Sequence, residues 1–429
     1  MRRTVVEHRA AIAGLLRWSS GYHDDAAEVL PLGEALGRAL AGDVRAPVSL
    51  PPFDNSQMDG YAVRAEDLAE PVTLTVTDAI AAGSGSSRLE SGTAAPIMTG
   101  AMLPDGAAAV VPIERAVPAQ FYSAAELADG HAQVQLPGGS TDGQYVRRAG
   151  SDIAAGETAL EAGTLLGPSQ LGLLAACGVD AVPVRPRFRV LLLSTGDEVA
   201  EPGAALLPGR IYDANTTLLE SALVEAGADV TRHRLLGDDP AVLREAFAAI
   251  TAGSTHLVLS TGGISQGAYE VVKQALADSS VEFSSVAMQP GGPQAHGTIS
   301  GIPFLGFPGN PVSAIVSFEM FLRPALHQLT GLPAPRPVLE AILVEDVRSP
   351  EAKHQLRRGL YREGRVALVG GPDSHLLHAL SRSNCLVHLP EGVSAVREGE
   401  RVEITLIGPV PGDPFAVVDV LVTESVGTG

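Results

Sequence analysis

Cysteine is scarce: the 429 residues hold two, Cys177 and Cys385. With no CxxC and no Cys/His cluster, neither a disulfide framework nor a structural zinc site is indicated. Both lie among apolar neighbours ("LLAACGV", "NCLVHL"), as core residues do. Aromatic residues make up 4% of the chain, and basic residues are outnumbered, 30 Lys and Arg against 49 Asp and Glu, for a net charge of −19. A nucleic-acid surface needs clustered Lys and Arg to neutralise phosphates, so none is expected, and any anionic ligand must be caught locally. Uninterrupted apolar runs of bilayer-spanning length are missing too. The opening "MRRTVVEHRAAIAGLL" is broken by Glu7, His8 and Arg9 before any signal-type run, so no membrane partner is expected and the cytoplasm is the expected compartment.

What the chain does have is hydrophobic content, 45%, enough for packed cores in a multidomain α/β and β protein. Helical patterns run over about 4–17 and 31–40, the second with Pro31 early and Gly42 past its end. From about 46 to 145, short alternating runs such as "VTLTVTD" are separated by Gly, Ser and Pro clusters, which predicts an inserted β-rich domain. Residues 1–45 and 146–185, with a helix near 168–177, would then form one helical and extended domain. Residues 186–330 read as a βα repeat. "RVLLLSTGDEV" is a buried strand, "NTTLLESALVEAGADV" a helix stopped by Gly227, "HLVLSTGGIS" another strand and loop, and "FPGNPVSAIVSFEMFLRPAL" a loop entering a long helix. A central, mostly parallel sheet covered by helices follows. Residues 331–429 return to strands ("EAILVEDV", "RVALVG", "CLVHLP", "RVEITLI") as a C-terminal β domain.

Ligands of such sheets sit beyond the carboxyl ends of the strands. The loops there are "STGDE" (194–198), "GDD" (237–239), "STGGIS" (260–265), "MQPGGP" (288–293) and "FPGNPVS" (307–313). Gly262 and Gly263, and Gly309 and Asn310, can turn backbone N–H groups toward an anion, Ser265 and Ser313 add hydroxyls, and the helix starting near Pro311 offers its positive end. A phosphate or other oxyanion is the expected ligand. Asp197, Glu198, Asp238 and Asp239 lie on the same loops; Mg²⁺ would reconcile carboxylates with phosphates, while capping ahead of Pro240 is the alternative for Asp238 and Asp239. "PPFDNSQMDGYAV" (51–63) places Asp59 in turn chemistry, where a tight surface turn competes with a functional acid.

"PPFDNSQMDGYAV", "IMTG" (97–100), "RRAGSDI" (147–153), "STGDEV", "IYDAN" (211–215), "GDDP", "TGGIS", "FPGNPVS" and "SNCLVHLP" (383–390) follow the order seen in molybdopterin molybdenumtransferases. The chain thus resembles the MoeA family, which includes the gephyrin E domain, over nearly its whole length. The resemblance implies a MogA-like central domain and an elongated four-domain homodimer whose active site is shared between subunits. It implies insertion of molybdate into adenylylated molybdopterin, received from a molybdopterin adenylyltransferase, with Mg²⁺-dependent release of AMP. Carried over by position, the functional acids are Asp59, Asp152, Glu198, Asp238 and Glu270, the last standing where relatives have Asp, with Glu198 and Asp238 named for Mg²⁺. Thr99, Pro308 and Pro311 match positions the family uses around the cleft, and the strand-end loops add Thr195, Gly196, Asp197, Thr261, Gly262, Gly263, Ser265, Gly309, Asn310 and Ser313 as the expected cofactor-binding set. Gln289, Arg358 and Ser374 fall at the molybdate positions.

One loop departs from the family: relatives commonly carry lysine at the positions of Gln289 and Gly292. Loss of both charges weakens oxyanion capture. Lys273 is a nearby cation, with a solvated helix residue as its alternative; His375, His378 and His388 lack metal-ligand spacing and read as structural or exposed. An active transferase with rearranged anion binding therefore stands beside a weakened paralogue that binds the pterin as carrier or scaffold, and beside an unrelated phosphate-handling α/β enzyme.

Overall fold

The computed structural model describes residues 2–24, 27–80, 83, 88–127, 130–195, 199–235, 240–248, 250, 254–262, 271–277 and 279–409. The chain divides into two compact units, Glu28–Val184 and the remainder, Met1–Ala27 with Arg185–Gly429.

In the larger unit a seven-stranded sheet runs in the order Arg2–Arg3, Glu282–Val286, Pro293–Ile299, Ile302–Phe307, Leu257–Thr261, Arg189–Thr195, Asp229–Leu235. The last four strands are mutually parallel, as the βα repeat predicts; Glu282–Phe307 folds instead as an antiparallel meander that brings Ile302–Phe307 beside Leu257–Thr261. Near-continuous apolar sequence is what a strand covered on both faces requires, and Val190, Leu192, Leu257, Leu259, Leu305 and Phe307 share the main core with the helices. The helix Ala214–Glu225 begins at Asp213, whose Oδ1 accepts from Thr216 N–H at 2.9 Å, and stops before Gly227 at φ +81.

The first residues belong to this unit. Arg2–Arg3 adds in parallel to Glu282–Val286, and the helix Val5–Ser19 buries Val5, Ile12 and Leu16 in the same core. "TVVE" starts that helix with a reciprocal box: Glu7 N–H donates to Thr4 Oγ1 (3.2 Å) and Thr4 N–H to Glu7 Oε2 (2.8 Å). "FPGNPVS" leads into Pro311–Ser317, which continues through a π turn at Phe318–Leu322 into Arg323–Thr330. Five C-terminal strands, Val338–Leu343, His354–Arg362, Arg365–Leu368, Cys385–Leu389 and Arg401–Leu406, close into a barrel because His354–Arg362 pairs with both Arg365–Leu368 and Cys385–Leu389. A Cβ at Gly359 would lie 2.7 Å from Val366 and 2.8 Å from Cys385 Sγ, so the barrel interior leaves no room for a side chain there. Burial pushes the Cys385 thiol up to about 12, leaving it a core residue without thiolate reactivity.

In the smaller unit a five-stranded sheet is ordered Ala107–Pro112, Gly60–Arg64, Thr93–Ile97, Val72–Val76, Gln133–Leu136. The helix Pro168–Ala176 lies where the sequence predicts one. Residues 31–40 do not form the expected helix. They end the strand Glu28–Pro31, make one 3₁₀ turn at Leu32–Glu34, and return as bridges from Ala39 and Leu40 to Leu165 and Val184. Gly37 at φ +73 turns the backbone where a helix needs negative φ.

Candidate active site

Beyond the carboxyl ends of the central strands, the larger unit opens a cleft of about 670 Å³. Three segments build it. The strand end at Gly262 and the loop Pro308–Asn310 form one side, residues 288–293 a second, and residues 372–374 with Lys353 the third. Gly262 N–H donates to the Phe307 carbonyl (3.1 Å), and a Cβ at Gly309 would stand 3.4 Å from Gly262 Cα, so two strand ends meet there backbone to backbone. Asn215, from "IYDAN", holds the junction: its Nδ2 donates to Thr261 Oγ1 (3.1 Å) and to the Gly309 carbonyl (2.6 Å). Thr261 is itself buried, its hydroxyl set between Asn215 and the Pro308 carbonyl at 3.4 Å.

The chemistry of the cleft lies in its donors. Among the described residues, the N–H groups of Gly291, Gly292, Gly309 and Asn310 have no protein partner, while Pro290, Pro293, Pro308 and Pro311 between them have no N–H to offer. Consecutive unpaired amides on irregular backbone are an anion cradle. The helix start contributes less than the sequence implies, because Val312 N–H is taken by the Ser374 carbonyl at 3.2 Å. Asn310 does not cap its helix. Its Nδ2 donates to Ser374 Oγ (2.7 Å), which leaves the Ser374 hydroxyl proton for a ligand. Gln289 presents an amide whose Oε1 accepts from Gln355 Nε2 at 3.0 Å, and the 288–293 loop is pinned from below by Gln294 Nε2 on the Gly291 carbonyl (2.8 Å).

Arg358 stands elsewhere than its expected role suggests. It is 2% exposed and does not line the cleft; its guanidinium donates to the carbonyls of Gly371 and, at 3.2 Å, Asp373. Burial, then the Arg357 charge, lowers its pKa. It braces the loop that carries Ser374. Lys273 is exposed, with Nζ 5.9 Å from the centre of the Phe283 ring, and Lys353 is the cation lining the cleft among the described residues. Sequence reading missed Lys353 and Asp373; their one signal was a position beside "QLRRG" and "DSH". His375 and His378 are exposed, and His388 is buried.

In the smaller unit, two motifs far apart in sequence meet. Asp59 Oδ1 accepts from Thr99 N–H (2.6 Å) and Thr99 Oγ1 (2.7 Å), and these bonds, the backbone one foremost, lower the Asp59 pKa. Oδ2 has no protein partner among the described residues. Asp152 is exposed on a turn, its N–H donating to the Leu50 carbonyl at 3.0 Å.

The Thr195 side chain, Gly196, Asp197, Glu198, Asp238, Gly263, Ser265 and Glu270 lie outside the described residues. Among the described ones, no group of three or more His, Cys, Asp or Glu is placed to hold a metal ion, and Asp373 is the carboxylate lining the cleft. One carboxylate does not make a Mg²⁺ site without substrate oxygens, so the described residues alone do not fit the ion. No described helix is long and apolar enough to cross a membrane.

Comparison with known proteins places this geometry in context. Residues 3–178 match the MoeA N-terminal region (domain I and II), 191–328 a probable molybdopterin binding domain, and 340–407 the MoeA C-terminal region (domain IV). A molybdopterin molybdenumtransferase 2 of Mycobacterium tuberculosis is 43% identical over 422 residues, covering 94% of this chain and 99% of its own. The Haemophilus influenzae molybdopterin molybdenumtransferase is 36% identical, covering 88% and 93%. The crystal structure of a molybdopterin biosynthesis moeA protein from Pyrococcus horikoshii OT3 superposes with a TM-score of 0.76 at 27% identity, covering 95% of this chain and 100% of that one.

Proposed function

The chain belongs to the MoeA family of molybdopterin molybdenumtransferases, enzymes of molybdenum cofactor biosynthesis, and from that premise we propose that it inserts molybdate into adenylylated molybdopterin with Mg²⁺-dependent release of AMP. The observation that carries the proposal is that Gly291, Gly292, Gly309 and Asn310, whose amides have no protein partner among the described residues, all line one cleft. Both substrates are oxyanions, and donors fixed by backbone need no reorganisation as charge shifts during the reaction.

In this reading Gly309, Asn310 and the Ser374 hydroxyl hold phosphate or molybdate oxygens, Gln289 Nε2 adds a neutral donor, and Asn215 and Arg358 hold the loops in place. Mg²⁺, with Glu198 and Asp238 as its named carboxylates, would offset charge on the pyrophosphate linkage when bound. Asp59, Asp152 and Glu270 complete the acid set, with Asp59 supplied by a partner subunit of a homodimer. A molybdopterin adenylyltransferase is the upstream donor, the compartment is the cytoplasm, and the four-domain division given above belongs to the same proposal except at its start, where Met1–Ala27 groups with the larger unit instead of with residues 146–185.

A second reading rests on the family resemblance, which implies lysine where this chain has Gln289 and Gly292: without those charges a paralogue could bind the pterin without turning it over. Purified protein incubated with adenylylated molybdopterin, molybdate and Mg²⁺ separates the two. Molybdate-dependent AMP release is expected. Nucleotide binding without AMP release would overturn the enzyme reading in favour of the carrier.

A further inference from the structure

We propose that Lys353 is the cation with which this cleft grips its oxyanion, taking over a charge that the 288–293 loop does not carry; the inference rests on the cleft being the substrate site. Met288–Gln289 pairs in parallel with His354–Gln355, and His354 N–H donates to the Ala287 carbonyl at 2.9 Å. That register delivers the residue before His354, which is Lys353, beside the loop. Its side chain lines the cleft and is half-buried.

The charge is available. Among the described residues no carboxylate lies within ion-pairing distance of the Lys353 ammonium, and Asp373, the carboxylate lining the same cleft, acts on the cations Arg357 and Arg358. Next to it, the Gln355 to Gln289 hydrogen bond occupies the Gln289 oxygen and leaves the Gln289 nitrogen as a donor. A tetrahedral oxyanion there meets one ammonium from the barrel entrance, one side-chain amide and the unpaired backbone N–H groups. A flexible ammonium suits this place, since it can follow an oxyanion wherever the fixed amides seat it. Molybdate and the phosphate of the nucleotide share that chemistry.

Equilibrium dialysis of the full chain with molybdate alone, and separately with AMP alone, tests the proposal on Lys353→Ala, Lys353→Arg and Lys353→Ala/Gln289→Lys. Lys353→Ala is expected to weaken binding of one of the two anions about tenfold, more at low than at high ionic strength. Lys353→Arg should stay within about threefold of the parent, and Gln289→Lys should restore most of the loss, since it returns a cation to the same wall. The anion that loses affinity identifies the source. Unchanged binding of both anions by Lys353→Ala overturns the proposal. So does equal weakness of all three variants, which marks a structural role. Because binding is measured without turnover, absence of AMP release retires the insertion reading while leaving this result standing, and normal molybdate and AMP binding by Lys353→Ala retires Lys353 alone.

Discussion

Two glycines separate what the fold needs from what the ligand needs. Gly60 follows Asp59 into a strand paired on both sides, and a Cβ there would stand 2.1 Å from the Val111 carbonyl oxygen. Gly60→Ala must push the neighbouring strand away, at a cost of about 1–3 kcal/mol. Gly309 has its nearest would-be contact at 3.4 Å, an ordinary separation. Gly309→Ala is expected to change stability by less than about 0.5 kcal/mol yet to raise KM for the nucleotide substrate, because its methyl intrudes on the amide cradle. Denaturant unfolding and steady-state kinetics on both variants check this; a stable Gly60→Ala beside an unfolded Gly309→Ala would contradict the packing described. At this scale the sequence was partly legible. Gly262, Pro308, Gly309, Asn310, Ser313 and Gln289 line the cleft where their loop positions put them, and Ser374 lines it where the family resemblance puts it. Arg358 does not, because spacing along a strand cannot reveal that a guanidinium is spent on carbonyls of its own domain. Lys353 went unread, since a lone lysine outside any loop motif is usually a solvated charge.

Elements with strong periodicity were readable, and those set by long-range pairing were not. The βα repeat announces itself through buried runs and Gly227. The stretch 31–40 has helical spacing, yet Ala35 reaches its core from the end of the 3₁₀ turn Leu32–Glu34, and Leu40 reaches it past Gly37 through a strand bridge to Val184. A two-residue strand such as Arg2–Arg3 has no period to detect. The barrel, legible as strands, hides a feature of acid stability. His388 on Cys385–Leu389 contacts His354 on the adjacent strand (3.1 Å between ring nitrogens) and Thr405 Oγ1 on the next (2.8 Å). Burial, then the charges of His354 and Arg9, lowers His388 to about 3. A depressed histidine binds its proton more readily unfolded than folded, so its contribution is present above the ordinary value of about 6.5 and is lost as pH falls from there toward about 3. Between pH 7 and 5 the protein should lose roughly 2 kcal/mol more than a His388→Gln variant does. Parallel losses in denaturant titrations would show that His388 is not held neutral. The comparison is needed because titrating the surplus acids changes overall repulsion in both proteins alike.

Across the whole molecule, 49 acids against 30 bases give a chain that repels its own substrates at long range. Capture then depends on local donors, and the screening length of about 10 Å at 0.1 M salt keeps that repulsion from reaching far into solution. Asp59 and its Thr99 clamp sit in one compact unit, the amide cradle in the other. If the active site is completed between subunits, co-refolding an Asp59→Ala chain with a Glu198→Ala chain should restore part of the activity that each homodimer lacks, since one of two mixed sites is intact. Heterodimers that form and stay inactive would refute a shared site.

The most direct measurement is where a heavy oxyanion binds. Crystals soaked in tungstate, a tetrahedral analogue of molybdate, should show an anomalous peak in the cleft between Gly309, Gly292 and Ser374, within reach of Lys353. Tungstate bound only elsewhere, while it competes with molybdate in AMP release, would contradict the account.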